Sequence, residues 1–77
     1  MTSITWGDTV RIKTDANVAM RPGSVAAVCG MRQVENELQA IEFNVPVGTT
    51  LFLVEFGDGV ALEIPETFVS READEIG

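Results

Sequence analysis

Between Leu51 and Glu66 the chain reads LFLVEFGDGVALEIPE, an alternating apolar pattern interrupted once, at Gly57-Asp58-Gly59. Alternation with a period of two belongs to strands, and two such runs around a glycine-rich turn predict a hairpin. The side chains choose its register. A three-residue loop sets Phe56 opposite Val60, Val54 opposite Leu62 and Phe52 opposite Ile64, with all six on one face and Glu55 and Glu63 on the other. A two-residue Asp58-Gly59 loop would pair Val54 with Glu63 and mix the faces. A slip of one residue turns a whole strand over, so the pattern selects the longer loop. Gly59 supplies the left-handed residue that such loops require. Leu51 and Leu53 then fall on the outer face beside Glu55, where two aliphatic side chains need a cover. That cover is either the chain's own helix or a second subunit.

Little else is available to hold so short a chain together. Its 77 residues make one domain, which buries only about 60% of its extended surface on folding. One cysteine rules out an internal disulfide, and the absence of histidine removes the commonest zinc ligand. No cofactor or metal is expected. Stability must come from a dense apolar core, for which 45% hydrophobic residues are ample, or from self-association. A lone thiol fits a reducing compartment. No apolar run approaches the ~20 residues of a membrane span, and no basic segment followed by an apolar one opens the chain. A soluble, cytoplasmic protein is expected.

Upstream of the hairpin, Thr9 to Lys13 alternates, with Val10 and Ile12 on one face and Arg11 and Lys13 on the other. This is a first strand, introduced by the Gly7-Asp8 turn. Residues 14–20 lack periodicity and read as an irregular loop. Arg21-Pro22-Gly23-Ser24 is a type II turn, with proline presetting φ and glycine accepting the positive φ at the third position. Val25 to Met31 is a closely packed central strand in which Gly30 permits a bend. Pro65-Glu66-Thr67 forms a turn, Phe68-Val69 a last short strand, and 70–77 a polar tail.

Residues 33–48 carry two periodicities. Val34, Leu38 and Ile41 fall on one face of a short helix of about two turns, which Asn44 would end in the left-handed region and Pro46 would stop. Ile41, Phe43, Val45 and Val47 also alternate as a strand would, although Pro46 confines that strand to a sheet edge. The helix is the reading favoured here.

Five short strands, a long first loop and a turn before the last strand describe a mostly β fold. The expected architecture is a small five-stranded SH3-like barrel with one short helix or irregular insertion between strands 2 and 3. GDTVRIK, RPGSVAAVCG and GTTLFLVEFGDGVALEIPE resemble a group of small, uncharacterised bacterial SH3-like barrel proteins. Their pattern runs from a GD-V opening, through a proline-glycine turn and strand, to a VEF-DG hairpin with a proline near its end. The resemblance covers about residues 7–69, is specific for the fold and implies no activity. Proteins of this kind can occur on mobile gene cassettes. The same opening is similar to KOW-type RNA-associated modules and to small photosynthetic barrel subunits that bind partner proteins.

Chemistry is mostly excluded. Ser-His and Cys-His catalysis lack their base, and Cys29 sits in an apolar run as an inert thiol. An EF-hand placed on Gly59 would start at Val54 and end at Pro65, where carboxylates are needed. Glu55 lies opposite Ala61 and diagonal to Glu63, about 7–8 Å away, too far to chelate one ion. These acids read as solvated charges that discourage sheet-edge aggregation. Trp6, beside Ile4, is expected to cap one end of the barrel.

Charge is divided unevenly. Residues 1–32 carry +2, while 33–77 carry −9, with ten acids against Arg71. Such a chain is repelled by phosphate backbones and anionic lipid, so neither nucleic acid nor membrane is an expected partner. Three functions fit. The first is a non-enzymatic interaction or accessory module that forms a homodimer, with Leu51, Leu53, Glu55, Glu63 and Glu66 as the candidate contact surface. The second is an acidic inhibitor or immunity-like protein that covers a basic partner. The third is a KOW-like nucleic-acid module relying on Arg11, Lys13, Arg21 and Arg32.

Overall fold

The computed structural model describes residues 4–72. Five strands, β1 (Thr9–Ile12), β2 (Val25–Gln33), β3 (Thr50–Phe56), β4 (Ala61–Pro65) and β5 (Val69–Arg71), are joined by one helix, α1 (Glu37–Phe43), between β2 and β3. All pairings are antiparallel, in a single sheet of order β4-β3-β2-β1-β5. Hydrogen bonds do not close the sheet: β4 and β5 are its edges, linked through a 3₁₀ turn at Glu66–Phe68.

One core draws on every strand: Val10 and Ile12, Ala26 and Val28, Phe52, Val54 and Phe56, Ile64, and Val69. The hairpin has the register that its side chains select, with Val54 opposite Leu62, Phe52 opposite Ile64 and Glu55 opposite Ala61. The Phe56 amide donates to the Val60 carbonyl at 2.9 Å, and Gly59 takes φ +88°. Val60 departs from the expected buried face. It stands at the foot of the loop, beyond the last strand pair, and is 38% exposed. Gly23 takes φ +84° in the expected turn, closed by the Ser24 amide on the Arg21 carbonyl. The loop before it contains a 3₁₀ turn at Val18–Met20.

The bend at Gly30 is a β-bulge. Val28 lies opposite Val54 and Gly30 opposite Leu53, so Cys29 is an extra residue in β2. The extra residue changes which face later side chains occupy. Arg32 therefore stands opposite Leu51 on the outer face, where uninterrupted alternation would have turned it inward.

Three expectations need correction. α1 does not bury Leu38 and Ile41, which are 80% and 74% exposed, although Val34 is buried. Val34 belongs to the extended chain, its amide bonded to the Thr49 carbonyl. The helix begins only at Asn36, whose side chain accepts the Gln39 amide at 3.0 Å. That cap resets the phase, and Ala40 and Phe43 become the half-buried helical positions instead. Asn44 ends α1 at φ 58°, as expected. Trp6 caps nothing. It sits in a turn closed by the Asp8 amide on the Thr5 carbonyl and is 68% exposed, while Ile4 packs on the core. Finally, Phe68 belongs to the 3₁₀ turn, and β5 takes Ser70 and Arg71 from the expected tail. Positions 73–77 of that tail lie outside the described residues.

Candidate functional site

Leu51 and Leu53 lie on the outer face of β3, as the register requires, but they are not bare. Leu51 is completely buried and Leu53 half-buried. Arg32, on β2, donates from Nε and Nη2 to the two oxygens of Glu63, on β4, at 2.6 and 2.8 Å. Because β3 runs between β2 and β4, this forked pair spans β3 across its outer face. The third guanidinium arm donates to Gln39 Oε1 at 3.1 Å, which ties α1 to the sheet. Gln39 in turn accepts the Glu35 amide. The hydrogen bond from Arg32 holds the Glu63 carboxyl below the usual carboxylate range.

Of the five residues expected to form one contact surface, Leu51, Leu53, Glu55 and Glu63 share the outer face, but they are not equally free. Leu51 is enclosed and Glu63 is committed to Arg32. Glu66 accepts the Thr50 amide at 3.3 Å. Glu55 is exposed between Ala27 and Ala61. It lines a shallow depression of about 380 Å³ with Thr9, Val25 and Gly57.

The other arginines are engaged in the same way. Arg11 grips Glu72 through two bonds at 2.8 and 2.9 Å. Arg21 meets Asp58 at 3.0 Å with its guanidinium 4.9 Å from the centre of the Phe56 ring, and Arg71 stands 3.7 Å from Asp8. These contacts lower the Glu72 and Asp58 carboxyl pKa values, in each case first through the arginine hydrogen bond.

A second concave surface, on the α1 insertion, was not expected from the sequence. Glu37, Ala40, Ile41 and Asn44 recur at helical spacing along one side of α1 and face the Val45-Pro46-Val47 segment across an open groove of about 510 Å³. Ile41 and Val47 are exposed in it, and Leu38 stands exposed on the adjoining face of the helix. Glu37 lines the groove, Glu35 and Glu42 stand elsewhere on the same insertion, and none of the three forms an ion pair among the described residues. The available signal was Asn36, a strong N-cap residue, followed three positions on by Gln39. Starting the helix there, rather than at Val34, turns Leu38 and Ile41 outward.

No known family, curated protein or solved structure matches the chain.

The groove has an apolar floor and one carboxylate, Glu37, in its lining, which suits an apolar anchor beside a positive charge. Among the described residues no cluster of three cysteine, aspartate or glutamate side chains could hold a metal ion, and no helix is long and apolar enough to cross a membrane.

Proposed function

We propose that this chain is a small SH3-like interaction module of the bacterial barrel type, which acts in the cytoplasm by binding a protein and catalyses no reaction. The strand order β4-β3-β2-β1-β5, the turn before the last strand and the single core shared by all five strands support the fold. The observation that carries the function is the α1 groove. Leu38, Ile41 and Val47 are all exposed on the insertion between β2 and β3. Grouped exposed apolar side chains mark contact surfaces more often than scattered ones do.

The homodimer expected from Leu51 and Leu53 is the less favoured reading, because the chain buries Leu51 itself while Leu53 is half-buried. The nucleic-acid reading is disfavoured in turn, since Arg11, Arg21 and Arg32 each hold a carboxylate. The test is affinity capture from the native host with wild-type protein and with the Leu38→Ser/Ile41→Ser double variant, analysed by mass spectrometry. A partner retained by the first and lost by the second supports the reading. A partner retained equally by both removes the groove from it. A shift assay at low salt that showed DNA or RNA binding would favour the KOW-like alternative.

A further inference from the structure

We infer that the α1 groove receives a cationic polypeptide segment carrying an aliphatic or aromatic anchor, and not a second copy of this chain. The inference rests on reading the groove as a contact surface, and it adds the chemistry of the occupant.

Charge decides between the two occupants. Glu37 lines the groove, with Glu35 and Glu42 on the same short insertion. The cation that acts on this group is Arg32, whose raised pKa reflects first its bond to Glu63 and, more weakly, the fields of Glu35 and Glu42. One guanidinium against four carboxylates leaves the insertion and its surroundings negative, and Glu37 is the charged residue that lines the groove. A two-fold dimer presents the same patch from both subunits. It would bring Glu37 and the negative insertion that carries it against their own copies, with like charges opposed in a partly desolvated interface. The chain has little positive charge to offer instead. Its arginines are each held by a carboxylate, and Lys13 is the remaining cation outside these pairs among the described residues. A contact from Lys13 to the groove of a neighbour would be head-to-tail and would not close as a two-fold dimer.

Shape supplies the anchor. At about 510 Å³ the groove lies within the range of roughly 300–1,000 Å³ typical of ligand pockets. Its floor of Ala40, Ile41, Val45 and Val47 suits one or two bulky apolar side chains. Lysines or arginines beside that anchor would face Glu37, the pairing that steers association.

The experiment titrates isotopically labelled protein with a short synthetic leucine–lysine helix and follows backbone amide shifts. A leucine–glutamate helix and a lysine–serine peptide are the controls. The expected result is that shifts concentrate between Glu37 and Val47, with the leucine–lysine helix alone binding and added salt weakening it. Ile41→Ser, and separately Glu37→Lys, should each reduce affinity by about tenfold or more. All these positions are exposed, so circular dichroism should show an unchanged fold. Equal binding of the lysine–serine peptide would eliminate the anchor, and equal binding of the leucine–glutamate helix would eliminate the charge. No binding, or shifts centred on Glu55, would overturn the inference. A wild-type dimer in sedimentation that Ile41→Ser dissociates would assign the groove to a second copy, leaving the contact-surface reading in place and removing this one. A monomer that binds none of the peptides and loses no captured partner on Leu38→Ser/Ile41→Ser would remove both.

Discussion

Replacing Phe52 with alanine tests the hairpin register and the core together. Phe52 is nearly fully buried and stands between Met31 on β2 and Ile64 on β4. Truncating a buried phenylalanine costs roughly 3–5 kcal/mol, the lost transfer energy plus the cavity left behind. A chain of 77 residues has a total stability of roughly 4–12 kcal/mol, so one substitution removes a large share of it. The unfolding entropy near the melting temperature is about 0.16 kcal/mol/K for this length, which converts the loss to a fall in Tm of roughly 20–30 °C. The assay is a thermal melt followed by circular dichroism, with urea unfolding as a second measure. Leu53→Ala is the internal control. Leu53 is half-buried on the opposite face, and its truncation should cost clearly less. Slipping the strand by one residue would place Leu53 in the core and Phe52 outside, reversing that order. A Phe52→Ala shift of only a degree or two, or a larger loss from Leu53→Ala, would refute the register.

Gly59→Ala should destabilise the hairpin by about 1 kcal/mol through its positive φ, while Gly57→Ala, in open space without that constraint, should be milder; paired melts compare them. Glu63, Glu72 and Asp58 have folded pKa values lowered by their arginine partners. A lowered folded value gives stability that is present above the unfolded pKa and lost as pH falls through the folded one. The ion pairs should therefore hold at neutral pH and weaken below the ordinary glutamate and aspartate values of 4.5 and 3.8. The urea midpoint of Glu63→Gln should accordingly approach that of wild type on acidification, and a gap that widened would contradict the assignment. Arg32→Gln should release both Glu63 and Gln39, so amide exchange should quicken across Glu37–Phe43 while protection in β1 and β5 is unchanged. Uniform exchange throughout would show that Arg32 does not fasten α1.

How much of this molecule was legible in its sequence depended on the range of the interaction that set each feature. The β3–β4 register could be read because Phe52, Val54, Phe56, Leu62 and Ile64 alternate within a few residues of one turn, and Gly59 permits one loop length. Asn44 announced the end of α1 for an equally local reason, its tolerance of the left-handed region. The phase of α1 was misread, although its signal was local too: the Asn36 cap outweighed the apolar spacing that began at Val34. Other features had no local signal. The pairing of β5 with β1 joins residues about sixty positions apart. The engagement of Glu63 depended on one inserted residue, Cys29, which moved Arg32 onto the outer face and within its reach. Local patterning fixes which side chains a strand presents together. Which charge meets which, and which apolar group remains uncovered, is decided only when distant strands pair, because hydrogen bonds and ion pairs act over a few ångströms regardless of separation along the chain.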